Sequence, residues 1–159
     1  MSSLIYLSLK GKVQGLISAG CNTKESIGNK FQHTHKDEIL VYNFQHMITR
    51  QDNTNHQPVI VVKPIDKSSP LLAKCITNNE EFDCLFSFYR TNENGGVELY
   101  YKIKLGRATL ASLKTDFPHS LNNNSLTPQE ILSIKYKDIT WINVACSTES
   151  YSIWDERVY

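Results

Sequence analysis

Apolar residues in this chain alternate with polar ones far more often than they recur at helical spacing. In EFDCLFSFYR (81–90), Phe82, Cys84, Phe86 and Phe88 share one face and Asp83, Leu85, Ser87 and Tyr89 the other. That is the two-residue period of a strand. TNENGG follows, and its Asn94-Gly95 pair is a strong hairpin signal. VELYYKIKLGRATLASL then returns as the partner strand, with Val97, Leu99, Tyr101, Ile103 and Leu105 inward and Glu98, Lys102 and Lys104 outward. Gly106 interrupts it, and Ala108 and Leu110 take up the opposite phase. A bulge or kink is expected there, of the kind that bends a long strand from one sheet into another.

Other segments read the same way. LIYLSLKG alternates weakly and ends at Gly11, and GLISAGCNTKES is a short run bounded by glycines. DEILVYNFQHMI places Leu40, Tyr42, Phe44, His46 and Ile48 on one face and Ile39, Val41, Asn43, Gln45 and Met47 on the other, which predicts a strand packed on both sides. PVIVVKP is a β-branched run with Pro58 and Pro64 confined to its ends. Between these two lies a polar segment of turn formers, Thr49, Arg50, Gln51, Asp52, Asn53, Thr54, Asn55, His56 and Gln57, read as a loop free of core residues.

In TPQEILSIKYKDITWI, Leu132, Ile134 and Tyr136 share a face, and the apolar phase then slips by one residue to Ile139 and Trp141. A β-bulge near Lys137-Asp138 explains the slip; two strands joined by a tight turn is the rival account. Leu132, Ile134, Tyr136, Ile139 and Trp141 should share one environment in the bulge reading.

One segment has helical spacing. In DKSSPLLAKCITNN, Leu71, Leu72, Cys75 and Ile76 form an apolar stripe, Ser69 can cap, Pro70 suits the first turn, and Asn78 and Asn79 end the run. A helix at about residues 70–78 is too short to be stable alone and must dock on a sheet or plug a barrel end. The pattern is all-β with one helix, a small barrel or a two-sheet sandwich.

Composition narrows the function classes. The chain has 159 residues, 40% hydrophobic and 21% charged, which fits one domain with a packed core. Lys plus Arg total 17 against 16 Asp plus Glu, so no electrostatic footprint for nucleic acid or an anionic membrane stands out. MSSLIYLSLKGK lacks the basic start, apolar run and cleavage site of a signal peptide, so a cytoplasmic chain exported by a route without a cleaved signal is expected. Cys21, Cys75, Cys84 and Cys146 are spread singly and read as small, mostly buried thiols.

Candidate chemistry is sparse. His33 and His35 would share a strand face, with His46 and His56 further on, but no third ligand sits at a metal-site spacing, and surface or loop histidines account for them. Glu80-Glu81 and Asp155-Glu156 are adjacent, so on a strand they point apart and make poor catalytic pairs. There is no Gly-x-Ser-x-Gly elbow, and GKVQG lacks the Gly-Lys-Ser/Thr ending of a phosphate loop. No cofactor or metal is expected. Lys102, Lys104 and Arg107 read as the solvated face of a strand, and Tyr89, Tyr100 and Tyr101 as cross-strand pairs. A domain with apolar residues on both strand faces has a second surface to cover, and self-association covers it.

The segments HKDEILVYNFQHMITR, KPIDKSSPLLAKCITNNE, FYRTNENGGVELYYKIKLGRATL, PQEILSIKYKDITW and YSIWDERVY, in this order, resemble the haemolysin-coregulated proteins, the tube-forming family of the bacterial type VI secretion system. Many members carry acids where this chain has Ile131 and Thr140. The resemblance implies a compact β-barrel of two antiparallel sheets with a short α-helix, a single tube-protein domain over residues 1–159 with no C-terminal effector extension, and no catalytic activity. It implies homohexameric rings that stack into a tube inside a sheath, contact the spike and baseplate, carry small effectors and are secreted. The 49–57 segment is then the candidate ring-stacking loop. The rival readings are a small-ligand-binding β-barrel and a hydrolase with a site hidden in loops.

Overall fold

The computed structural model describes residues 3–119, 121–122 and 127–155. Along the chain lie β1 (Leu4–Gly11), β2 (Gly15–Leu16), the single turn α1 (Lys24–Ile27), two 3-10 turns (Gly28–Lys30 and His33–His35), β3 (Ile39–Val41), β4 (Asn43–Gln45), β5 (Ile48–Arg50), β6 (Thr54–His56), β7 (Val59–Pro64), α2 (Ser69–Thr77), β8 (Phe82–Thr91), β9 (Val97–Asp116), β10 (Gln129–Lys135), β11 (Asp138–Asn143) and β12 (Thr148–Ile153). No helix among the described residues is long and apolar enough to cross a membrane.

The fold is mainly β. Ten strands form one antiparallel sheet with the path β2-β1-β8-β9-β10-β7-β4, while β3 pairs with β1, and β11 joins β9 to β12. A separate two-stranded sheet is made of β5 and β6. The expected barrel is not a closed ladder. Its circuit is completed by the chain itself: β3 pairs with β1, and after Tyr42 the same segment continues as β4 on β7. The expected continuous strand at 37–48 is therefore three short ones. The break changes which face is buried, with Ile39 and Val41 in the core before it and Phe44 packed on the core after it. Apolar residues on both faces reflect that flip rather than burial on two sides. GLISAGCNTKES is likewise strand only at Gly15–Leu16, and its later half forms turns and α1.

The long strand β9 does bend at Gly106. Phe82 pairs with Ala108 and Cys84 with Leu105, so Gly106 and Arg107 together stand opposite Asp83. Arg107 takes a left-handed φ of 46°, and its N–H donates to Asp83 Oδ1 at 3.1 Å. Leu105 and Ala108 are both buried, which is the predicted change of phase. A further extra residue at Tyr100 shifts the register. Val97, expected inside, is 56% exposed near the open end of the hairpin.

The slip at Lys137-Asp138 is no hairpin turn, because β10 and β11 both pair with β9. Ile134 lies opposite Leu110 and Asp138 opposite Gly106, so the pairing offset is the same on both sides. The extra residue of β9 at its corner is matched by one in the β10–β11 strand. Tyr136 and Ile139 are buried as a result, with Leu132 and Ile134, and Trp141 packs against that core.

The helix begins at Ser69 rather than Pro70, and the cap position is Ser68, which makes no side-chain capping bond. Leu72 and Cys75 are buried, and Leu71 and Ile76 pack on the core. Cys21, Cys75 and Cys84 are buried and Cys146 is exposed. Burial raises the thiol of Cys21 to about 12 and that of Cys75 to about 11.

Candidate assembly surface

The 49–57 segment is not a loop. It forms a β-ribbon in which Ile48 pairs with His56, Thr49 with Asn55 and Arg50 with Thr54, closed by a turn at Gln51, Asp52 and Asn53. Arg50 Nη1 donates to Thr54 Oγ1 at 3.2 Å, and the N–H of Thr54 donates to Asn53 Oδ1 at 2.9 Å. Residues 48–52 and Asn55 are exposed. A two-stranded ribbon by itself is marginally stable in water, so its root must be fastened.

The root is fastened by residues that the sequence scattered. His56, expected in a solvent loop, is only 3% exposed. Its Nδ1 lies 2.9 Å from the Tyr136 hydroxyl and its Nε2 lies 2.9 Å from Ser152 Oγ. His46 Nε2 approaches the same Tyr136 hydroxyl at 2.7 Å. Trp154 stacks on His56 with ring centroids 5.8 Å apart and meets Tyr136 edge-on at 4.8 Å. Burial lowers the affinity of both imidazoles for protons, with His56 adding to the effect on His46, and burial holds the Tyr136 hydroxyl well above its usual range.

This arrangement carries no obvious hydrolytic chemistry. Ser152 and His56 stand at nucleophile–base distance, but His56 Nδ1 faces a neutral phenol instead of the carboxylate that orients the base of a hydrolytic triad. His33 and His35 sit in a 3-10 turn. His35 stacks on Tyr6 with centroids 3.8 Å apart and pairs with Glu38 at 3.0 Å. Among the described residues no group of three or more His, Cys, Asp or Glu could hold a metal ion. His119 is exposed.

A second polar cluster joins two of the segments quoted above, KPIDKSS and PQE. Lys63 Nζ, fully buried, lies 3.0 Å from Asp66 Oδ1, 2.6 Å from Glu130 Oε1 and 3.0 Å from the Pro64 carbonyl oxygen. Ser69 donates to Glu130 and accepts from the Asp66 N–H at 3.0 Å. The hydroxyl expected to cap the helix thus clamps β7, α2 and β10 together. On the surface, a cleft of about 760 Å³ lies between α1 and the β7–α2 link, rimmed by Lys24, Lys36 and Lys67.

Two free margins complete the picture. β12 pairs on one side, with β11, among the described residues, and carries Tyr151 and Ile153 exposed at 58% and 37%. Met47 and Ile48, beside the ribbon root, are exposed at 60% and 38%. Such apolar margins on a sheet edge suit pairing with another chain.

Comparisons agree with this architecture. The Type VI secretion system effector, Hcp family matches residues 6–142. The Major exported protein of Pseudomonas aeruginosa is 33% identical over 171 residues, covering 99% of this chain and 99% of that protein. The Uncharacterized protein YhhZ of Escherichia coli K12 is 37% identical over 150 residues, 94% of this chain, but the match spans only 37% of that longer relative. The solved structure of the secreted protein Hcp3 from Pseudomonas aeruginosa superposes with a TM-score of 0.89 at 31% identity, covering 98% of this chain and 100% of that one. The chain belongs to the Hcp family of type VI secretion proteins.

Proposed function

We propose that this chain is the tube subunit of a type VI secretion apparatus, assembling as hexameric rings that stack and are exported. The observation that carries this reading is the end-to-end fit of its fold to a secreted Hcp protein. The open edge of β12 and the exposed Tyr151 and Ile153 offer a lateral surface to the next copy in a ring, whose head-to-tail contacts close on themselves. The tip of the β5–β6 ribbon, where Arg50, Gln51, Asp52 and Asn55 are exposed, is the stacking prong between rings. In this reading the partners are other copies, the sheath, the spike and baseplate, and small effectors carried in the channel.

The interior supports a scaffold role over ligand binding. Leu7, Leu9, Phe86, Leu105, Leu132 and Ile134 are all 0% exposed and fill the space a barrel ligand would need. Negative-stain electron microscopy and light scattering on purified protein test the proposal. Rings with a mass about six times that of the chain support it; a strict monomer across a wide concentration range overturns it.

A further inference from the structure

Two imidazoles at the ribbon root converge on one oxygen of the main sheet. Tyr136 Oη lies between His46 Nε2 at 2.7 Å and His56 Nδ1 at 2.9 Å. A phenol has one proton to donate. It can donate to one ring and accept from the other, in either direction. In one arrangement His46 donates to Tyr136, Tyr136 to His56 and His56 to Ser152. In the reverse, Ser152 donates to His56, His56 to Tyr136 and Tyr136 to His46. Each direction tolerates a positive charge on only the ring that donates to the phenol. A second charge makes both facing nitrogens donors to one oxygen and leaves the phenol proton without an acceptor.

We propose that this knot is acid-labile: in mildly acidic solution both imidazoles take protons, the Tyr136 bridge opens, and the β5–β6 ribbon is released from the sheet. The consequence for ring stacking rests on the function proposed above; the opening itself does not.

Among the described residues no carboxylate pairs with His46 or His56. Tyr136 comes from the corner between β10 and β11, Ser152 from β12, and Trp154 from just beyond it. Among the described residues His35, not His46 or His56, is the histidine paired with a carboxylate. Lys137, next to Tyr136, points to Glu81 at 3.5 Å. Asp155, next to Trp154, is exposed, and Arg50 on β5 bonds Thr54. Among the described residues the titratable group that acts on His46 is His56 itself, while a backbone hydrogen bond with Gln57 acts the other way and is outweighed by burial. Both rings are held below the ordinary histidine range by burial. The attached state therefore binds fewer protons than the released one. Its advantage is complete above the ordinary histidine value of about 6.5 and is lost as pH falls below it.

Hydrogen exchange of the ribbon amides, corrected for the intrinsic rate, tests this on dispersed subunits at about pH 7.5 and about pH 5. Release coupled to two protons raises the opening constant by up to about 100-fold per pH unit. His46→Gln keeps a neutral amide within reach of Tyr136 and leaves one buried imidazole to titrate, so the rise should drop to at most about 10-fold per pH unit, and His56→Asn should do the same. Wild-type protection that is equal at the two pH values overturns the proposal. So does a loss of equal size in both variants. Because subunits are dispersed, the exchange result decides the proposal even where stacking fails. Tubes that fall into rings in acid for the wild type, yet persist for His46→Gln, support both readings.

Discussion

Replacing Lys63 by methionine keeps most of the side-chain volume and removes its charge. The ammonium is fully buried and lies within 3.0 Å of both Asp66 and Glu130. Without it two carboxylates remain in the interior, where β7, α2 and β10 meet, with no cation to compensate them. Removing one partner of a buried ion pair costs about 3–5 kcal/mol, against a total stability of about 5–15 kcal/mol for a domain. With a urea slope of about 2 kcal/mol per molar, the unfolding midpoint should fall by about 2 M. Urea unfolding at neutral pH followed by the fluorescence of Trp141 and Trp154 measures this. Wild type and variant must be compared at one protein concentration, since assembly adds apparent stability. Asp66→Asn leaves a neutral Lys63–Glu130 pair and should cost clearly less than Lys63→Met. A shift below about 0.5 M for Lys63→Met, or a larger loss for Asp66→Asn, would refute the argument that the ammonium is what makes these buried carboxylates tolerable.

Other outcomes follow from particular contacts. A Cβ on Gly11 would sit 2.3 Å from Glu80 Oε2 and 3.0 Å from Ile17 Cδ1. That carboxylate receives the N–H groups of Val13 and Gln14 at 3.2 and 3.0 Å, so Gly11→Ala should cost about 1–3 kcal/mol in thermal or urea unfolding. With a thiol reagent on native protein, Cys146 should react quickly. Cys21, Cys75 and Cys84 should react only on unfolding, because burial shields them and raises their thiols; more than one fast thiol contradicts this. The ribbon-tip change Asp52→Arg alters an exposed residue, so rings should form normally while stacking, read by electron microscopy, is weakened; unchanged tubes would remove the tip from the stacking contact.

Long periodic segments were legible in the sequence because their signal is local. The alternation in β8, the apolar stripe of α2 and the phase change at Gly106 each need only neighbours along the chain. The paired corner at Lys137-Asp138 was half legible. Its extra residue showed as a slip, but the matching extra residue in β9 and the shared pairing partner needed the sheet. The ribbon root was not legible, because His46 and Tyr136 are separated by 90 positions, and His56 and Ser152 by 96. Polar residues such as these read as solvent-facing until a distant partner is folded onto them. Lys63 is the same case. At the end of PVIVVKP it looks like the point where a strand leaves the core, yet Glu130 arrives from 67 residues away and keeps it inside. The 49–57 segment reads as a polar loop free of core residues, because its turn-forming composition hides both the short ladder within it and the burial of His56.

The corner in β9 also bears on how this chain tolerates change in length. Relative to β8, both β9 and the β10–β11 strand carry one more residue at the bend, like the outer lanes of a curved track. Deleting Arg107 alone would move Lys102 and Lys104 to the face now held by Ile103 and Leu105, relative to the β10 ladder. Deleting Lys137 as well would bring the two strands back into step. Insertions and deletions here are therefore coupled across strands, and a relative that lost one of these residues would be expected to have lost its neighbour too.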